Sequence, residues 1–198
     1  PGGPDLALEG LWAAHRVGLL DAALAAQTLR HPNPQVRLWT ARLLGDIRPM
    51  NPEFAAALAE QAAREPDVEA RSQYASTARR LPAAQTMTIV KALLAHDRDA
   101  GDPRQPLMLW WTIEQHCERD RQAVVDLLSD AELWRSPIVQ NHLLQRLARR
   151  FAATGRRDDL LALATLFQRS PGPTQTARLT QGFEEASQGR PLAGLPAE

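Results

Sequence analysis

Five stretches of the chain open at a proline and recur at nearly constant intervals. They are "PNPQVRLWTARLLG" from Pro32, "PDVEARSQYASTAR" from Pro66, "PRQPLMLWWTIEQH" from Pro103, "PIVQNHLLQRLARR" from Pro137 and "PTQTARLTQGFEEA" from Pro173, with starts 34, 37, 34 and 36 residues apart. A period of this size belongs to stacked helix pairs, in which no single pair can bury its apolar face alone. The fifth residue after each proline is Arg37, Arg71, Met108, His142 and Arg178 in turn. Each stretch opens the first helix of a pair, and a second, Leu/Ala-rich helix follows.

Local signals agree with that rhythm. No sustained alternation of apolar and polar residues occurs, and neither Asn-Gly nor Asp-Gly is present to turn a hairpin. Four pairs, Asn33-Pro34, Asn51-Pro52, Asp102-Pro103 and Ser136-Pro137, set a capping side chain before a proline suited to the first helical position. Asp21 and Asp67 read as further caps. The spacing predicts helices over 5–17, 21–30, 34–47, 52–65, 67–80, 83–96, 103–116, 119–130, 137–153, 157–169 and 173–187. Short connections predict antiparallel neighbours. The expected fold is all-α, a right-handed α-solenoid of about five helix pairs. Its repeat domain covers 5–188, in pairs at 5–30, 34–65, 67–96, 103–130 and 137–169 with a partial pair at 173–188. Residues 1–4 form a flank, and 189–198 ("GRPLAGLPAE" from Gly189) a linker, tail or truncated repeat.

Composition narrows the function classes. Hydrophobic residues make up 44% and charged residues 23%, enough for a sizeable core. The formal net charge of zero lacks the footprint of a nucleic-acid binder. All the basic residues are arginine except Lys91, a bias that suits a high-GC bacterial genome. One cysteine, Cys117, excludes an internal disulfide and an all-cysteine metal site. No apolar run approaches the ~18 residues of a membrane span. The start "PGGPDLALEG" has no initiator Met and no signal pattern, which reads as a piece of a longer polypeptide.

"HPNPQVRLWTARLLGD" (31–46) resembles a HEAT repeat in its Asn-Pro-x-Val-Arg opening and closing Leu-Gly, and "ALEGLWAAHRVGLLDAALAAQTLR" (7–30) resembles a neighbouring pair of that class. "DPRQPLMLWWTIE" (102–114) is similar to a segment of the planctomycete and verrucomicrobial membrane-bound dehydrogenase type. In that family a propeller precedes HEAT repeats and a c-type cytochrome domain follows. The resemblance covers roughly residues 5–115. It implies a helical spacer between redox modules, placed in the periplasm or cell envelope; nothing else in the segment indicates a location. It also implies that Arg37 and Arg71 tie neighbouring repeats through a carboxylate or carbonyl, with Asp46 and Asp67 as partners. Haem attachment needs Cys-x-x-Cys-His, which "HCERD" (116–120) is not, so no cofactor is expected within this segment.

Other candidate chemistry reads as structure. Trp110 and Trp111 are expected to be mostly buried, Trp111 at the repeat position of Thr40 and Tyr74; an aromatic platform for a partner is the alternative. His116 and Cys117 lack the further ligands of a zinc site. The loop "HDRDAGD" (96–102) has Met108 where a calcium loop starting at Asp97 needs glutamate. Glu9, His15 and Asp21 form no acid/base set, and no Ser/His/Asp or Gly-rich phosphate pattern stands out. Arg146, Arg149, Arg150, Arg156 and Arg157 cluster around Gly155, either as solvated helix-end charges or as a phosphate or acidic-partner site.

The expected function is a non-catalytic interaction or spacer module whose partner is a protein or a flanking domain. The second helices would present Glu53, Glu60, Arg64, Lys91, Gln122, Asp126, Asp158, Thr165 and Arg169 to it. A HEAT-like DNA-binding or DNA-glycosylase-type protein is the alternative, disfavoured by the mixed charge of the helices. A free-standing scaffold for an unrelated partner is a third.

Overall fold

A computed structural model describes residues 4–47 and 49–188, with side chains from Leu6 onward. The expected flank up to Gly3 and the tail from Gly189 lie outside the described residues. Among the described residues all regular structure is helical, in eleven α-helices with no strand. Contacts divide the chain into two compact units, Pro1–Leu93 and Leu94–Glu198.

The first unit holds α1 (Pro4–Arg16), α2 (Ala22–Leu29), α3 (Pro34–Leu44), α4 (Pro52–Arg64), α5 (Val68–Ala78) and α6 (Ala83–Leu93). Their starts follow from local chemistry. Asn33 and Asn51 sit in extended backbone, and their side-chain oxygens accept from the amides of Gln35 and Glu53, each at 2.9 Å. Asp21 and Asp67 do the same for Leu24 at 2.8 Å and Ala70 at 2.9 Å. A cap of this kind contributes ~1 kcal/mol. The helices pack in two rows, α1 on α3 on α5 and α2 on α4 on α6, with α2 against α3 and α5 against α4 and α6. Leu29, Val36, Leu44, Leu58, Tyr74 and Ile89 fill the space between.

Gly45 ends α3 beside the C-terminal end of α5. A Cβ at this position would strike the side chains of Thr77 and Arg80. Thr77 Oγ1 donates to the Ala41 carbonyl at 2.9 Å, and Arg80 pairs with Asp46 and donates to the Arg42 carbonyl at 3.2 Å.

The second unit holds α7 (Gln105–Glu114), α8 (Arg121–Leu127), α9 (Leu144–Thr154), α10 (Arg157–Arg169) and α11 (Pro173–Ser187). It departs from expectation more often. A 3-10 turn over Asp97–Gly101 precedes α7, and another over Ala131–Arg135 follows α8. Helix α7 begins two residues beyond Pro103, with Pro106 in its first turn; Asp102 still caps it, accepting from the amides of Arg104 and Gln105 at 2.8 Å. Helix α8 is shorter than 119–130, because the Leu128 carbonyl turns away to accept from the Trp134 indole at 2.9 Å. Ser136 is not the cap expected: its hydroxyl donates to the Leu94 carbonyl at 3.0 Å. Pro137 instead leads into a π-helical turn, Val139–Leu143, that runs on into α9. Gly155 stops α9 in the left-handed conformation (φ 64°) that glycine adopts without strain.

Helix α11 lies along α9 so closely that a Cβ on the buried Gly182 would collide with the Gln145 carbonyl and Ala148. Helix α7 contacts the π turn and α9, and α8 packs on α10. Among the described residues no helix is long and apolar enough to cross a membrane.

Candidate functional site

One spacing of buried positions recurs in three helices. Helix α3 buries Val36, Arg37, Thr40, Ala41, Leu43 and Leu44; α5 buries Ala70, Arg71, Tyr74, Ala75, Thr77 and Ala78, each 34 residues later. Helix α7 buries Gln105, Pro106, Leu109, Trp110, Thr112 and Ile113, each 35 residues further on. The proline-anchored alignment is therefore two residues out of register in α7. Pro106, and not Met108, stands where Arg37 and Arg71 stand.

Both arginines make the same local bond. Arg37 Nη1 donates to the His31 carbonyl at 2.8 Å and Arg71 Nη1 to the Glu65 carbonyl at 2.8 Å, each six residues back. The carboxylate partner of Arg37 is neither Asp46 nor Asp67. It is Glu65, fully buried just beyond α4, which accepts from Nε at 2.8 Å and Nη2 at 2.6 Å. The Asp67 amide also donates to Glu65, at 3.0 Å, so the carboxylate has three N–H donors. Hydrogen bonding to Glu65 holds the Arg37 pKa above its ordinary value although burial opposes it. Tyr74 lies near the pair, and burial together with the Glu65 charge pushes its phenol far above the ordinary range. Its hydroxyl has no hydrogen-bond partner among the described residues.

Helix α7 settles the tryptophan question differently for each ring. Trp110 is 8% exposed and Trp111 41%, so the expectation that both are buried fails for Trp111. At 100° per residue, Trp111 falls about 160° around the axis from both Leu109 and Ile113, the centre of the buried face. It stands outward with Leu107.

The expected partner-binding residues are all at least partly exposed, and the structure groups them within each unit. Glu53, Glu60 and Arg64 are exposed on α4, where Glu60 takes Arg64 at 2.9 Å and Arg30, just beyond α2, at 3.4 Å; Lys91 is exposed on α6. In the second unit, Gln122 and Asp126 of α8 meet Asp158, Thr165 and Arg169 of α10. Gln122 donates to Asp126 at 2.9 Å, Arg169 approaches Asp126 at 3.5 Å, and a groove of about 260 Å³ runs past Gln122, Asp158 and Thr165.

The arginine cluster splits in two. Arg156 is held by Asp159 at 3.0 Å and Glu118 at 3.2 Å, which raise its pKa, and Arg157 is exposed in the first turn of α10. Arg146, Arg149 and Arg150 instead share a groove of about 290 Å³ with Trp110, Glu114 and Ala153. That grouping of α7 with α9 escaped the sequence reading, which placed Trp110 and the arginines in separate features.

A second missed residue is Asp159. It is buried beside the exposed Asp158, and it accepts from Arg121 at 2.5 Å, Thr154 at 2.6 Å and Arg156 at 3.0 Å. Burial alone would raise its pKa, but the three hydrogen bonds outweigh burial and hold it below the ordinary carboxylate range. Beyond α7, His116 Nδ1 lies 2.8 Å from Asp120 Oδ2, and burial pushes the Cys117 thiol up to about 12, leaving almost no thiolate near neutrality.

No family model matches the chain, and no curated protein or solved structure matches it either.

Proposed function

We propose that the chain is a non-catalytic interaction or spacer module, a right-handed α-solenoid of about five HEAT-like helix pairs. The observation that carries this reading is the recurrence of one burial pattern through α3, α5 and α7, with Arg37 and Arg71 reaching the carbonyl six residues back. Such repetition serves an extended contact surface and not a single reactive centre. The contact residues are those of the even-numbered helices: Glu53, Glu60, Arg64 and Lys91 in the first unit, and Gln122, Asp126, Asp158, Thr165 and Arg169 in the second. The partner is a protein or a flanking domain of the same polypeptide. The parent is a bacterial redox protein of the dehydrogenase and cytochrome c kind that the sequence resembles, which would put the module in the cell envelope.

The test uses the parent polypeptide. Cross-linking followed by mass spectrometry should join α4, α6, α8 or α10 to a flanking domain, and Glu60→Arg, Lys91→Glu and Asp126→Arg together should abolish those links. Links that survive all three reversals would overturn the surface. The DNA-binding alternative draws support only from Arg146, Arg149 and Arg150; tight duplex binding at low salt with a steep salt dependence would replace the proposal.

A further inference from the structure

Most guanidinium groups of the second unit with described contacts have an acidic partner. Arg121 holds Asp159 at 2.5 Å, Arg156 holds Asp159 and Glu118, Arg135 holds Glu132 at 2.8 Å, and Arg169 approaches Asp126 at 3.5 Å. The groove between α7 and α9 differs. Arg146, Arg149 and Arg150 recur at i, i+3 and i+4, which sets them on one face of α9. Arg146 uses one nitrogen on the His142 carbonyl at 2.5 Å. Arg149 comes no nearer than 3.9 Å to Glu185 and is largely exposed. Arg150 is half-buried and forms no hydrogen bond or ion pair with another described residue. Opposite them stand Trp110 and a single carboxylate, Glu114.

We propose that this groove binds a phosphomonoester carried on an apolar or aromatic body, with Arg146, Arg149 and Arg150 around the phosphate and the body against Trp110. With Glu114 in the groove and Glu185 at 3.9 Å from Arg149, the three guanidinium groups keep a net positive charge, and their many N–H donors suit the three oxygens of a phosphomonoester better than the two of a carboxylate. The planar fork of arginine fits two phosphate oxygens at once. The volume of about 290 Å³ suits one phosphate and a small body, at the lower end of ligand sites. A polynucleotide needs a track of cations, whereas these arginines converge on one place beside an opposing carboxylate. Glu114 offers an acceptor to a hydroxyl or N–H on the ligand body. The inference goes beyond the module reading, since it concerns α7 and α9 and needs no partner on the even-numbered helices.

Phenyl phosphate titrated into the full chain, followed by NMR at the indole N–H and arginine Nε–H resonances, is the direct test. Saturable shifts at Trp110 and Arg150 are expected, with phenylacetate at least about tenfold weaker, a difference of roughly 1.4 kcal/mol. Arg150→Gln should raise Kd by about tenfold or more, and Arg135→Gln should leave it unchanged. Arg146→Gln is the second variant should the first fail to fold. Glu114→Gln should tighten binding by removing the opposing charge. A tripeptide, acetyl-Ala-phosphotyrosine-Ala-amide, distinguishes the sources. Tighter binding than phenyl phosphate assigns the site to a phosphorylated protein segment, and equal binding assigns it to a small phosphate ester. Absence of saturation, an unchanged Kd in Arg150→Gln and Arg146→Gln, or equal shifts at Arg135 overturns the proposal. So does tighter binding of a single-stranded DNA 12-mer with shifts spread over most arginines.

Discussion

Arg37 in the first unit and Arg150 in the second carry the same cation on odd-numbered helices, yet their surroundings are opposite. Arg37 is closed off: its side chain is 8% exposed, and a fully buried carboxylate 28 residues along the chain grips it with two hydrogen bonds. Arg150 is half-buried against an open groove that Glu114 also lines, yet no described carboxylate bonds to it. The difference teaches that an arginine's role here is set by what the next helix brings to it. Burying a guanidinium costs several kcal/mol of lost hydration, which only a well-made pair offsets. Where no acid arrives, the group stays at the edge of water with donors to spare.

The largest expected effect lies in the closed pair. Glu65→Ala leaves Arg37 buried without its counter-charge and should destabilise the fold by about 3–5 kcal/mol in urea unfolding. The double replacement Arg37→Met with Glu65→Leu should recover most of that loss, because apolar isosteres remove both desolvation costs. On the other side of the comparison, Arg150→Gln should change stability by no more than about 0.5 kcal/mol. Equal losses at the two sites would erase the distinction between a structural arginine and an available one.

The second unit has its own closed node, Asp159. Replacing it by Asn puts an amide N–H against Arg121, Arg156 and Thr154 and should cost about 2–3 kcal/mol, less than Glu65 because both arginines reach solvent. The pH dependence has a definite sign. The folded pKa of Asp159 lies below its unfolded value of about 3.9, so its contribution is complete above that pH and is lost as pH falls through the folded pKa. Urea midpoints at pH 7 and pH 3 should therefore show the gap between wild type and Asp159→Asn narrowing in acid. A gap that widens would contradict the hydrogen-bonded carboxylate.

Two glycines extend the contrast to packing. The atoms that a Cβ on Gly45 would meet belong to the side chains of Thr77 and Arg80, and the arginine can swing aside. Those met at Gly182 include the backbone carbonyl of Gln145, which cannot. Gly182→Ala should accordingly destabilise by about 1–3 kcal/mol, as overpacking does, and Gly45→Ala by less. Thermal unfolding of the two variants measures the difference, and a larger loss at Gly45 would reverse it.

Much of the helical order was legible in the sequence because its causes are local. Asn33, Asn51, Asp21, Asp67 and Gly155 act within a turn of themselves, and each does what its type and position predict. The 34-residue spacing from α3 to α5 was legible as well, whereas the proline positions missed the 35-residue spacing from α5 to α7. What was hidden depends on distant partners. Nothing near Glu65 marks it as the residue that Arg37 needs, and Ser136 abandons its capping role for a carbonyl 42 residues away. The groove was half visible: Arg146, Arg149 and Arg150 stood out as a charge run, but Trp110 and Glu114 join them only once α7 and α9 pack.

A small effect sharpens the register on which the repeat reading depends. A proline-anchored alignment puts Trp111 in the place of Tyr74 and predicts a large loss on truncation. The observed burial puts Leu109 there and turns Trp111 to solvent at 41% exposure. Trp111→Ala should then cost no more than about 1 kcal/mol, within the range of partly exposed sites. The buried neighbour Trp110 is the control and must cost more, since its ring packs in the α7 face with Leu109 and Ile113. Urea unfolding of both variants decides between the registers. If Trp111→Ala proves the more damaging, the 35-residue offset between α5 and α7 is wrong, and Met108 regains the position that Pro106 holds here.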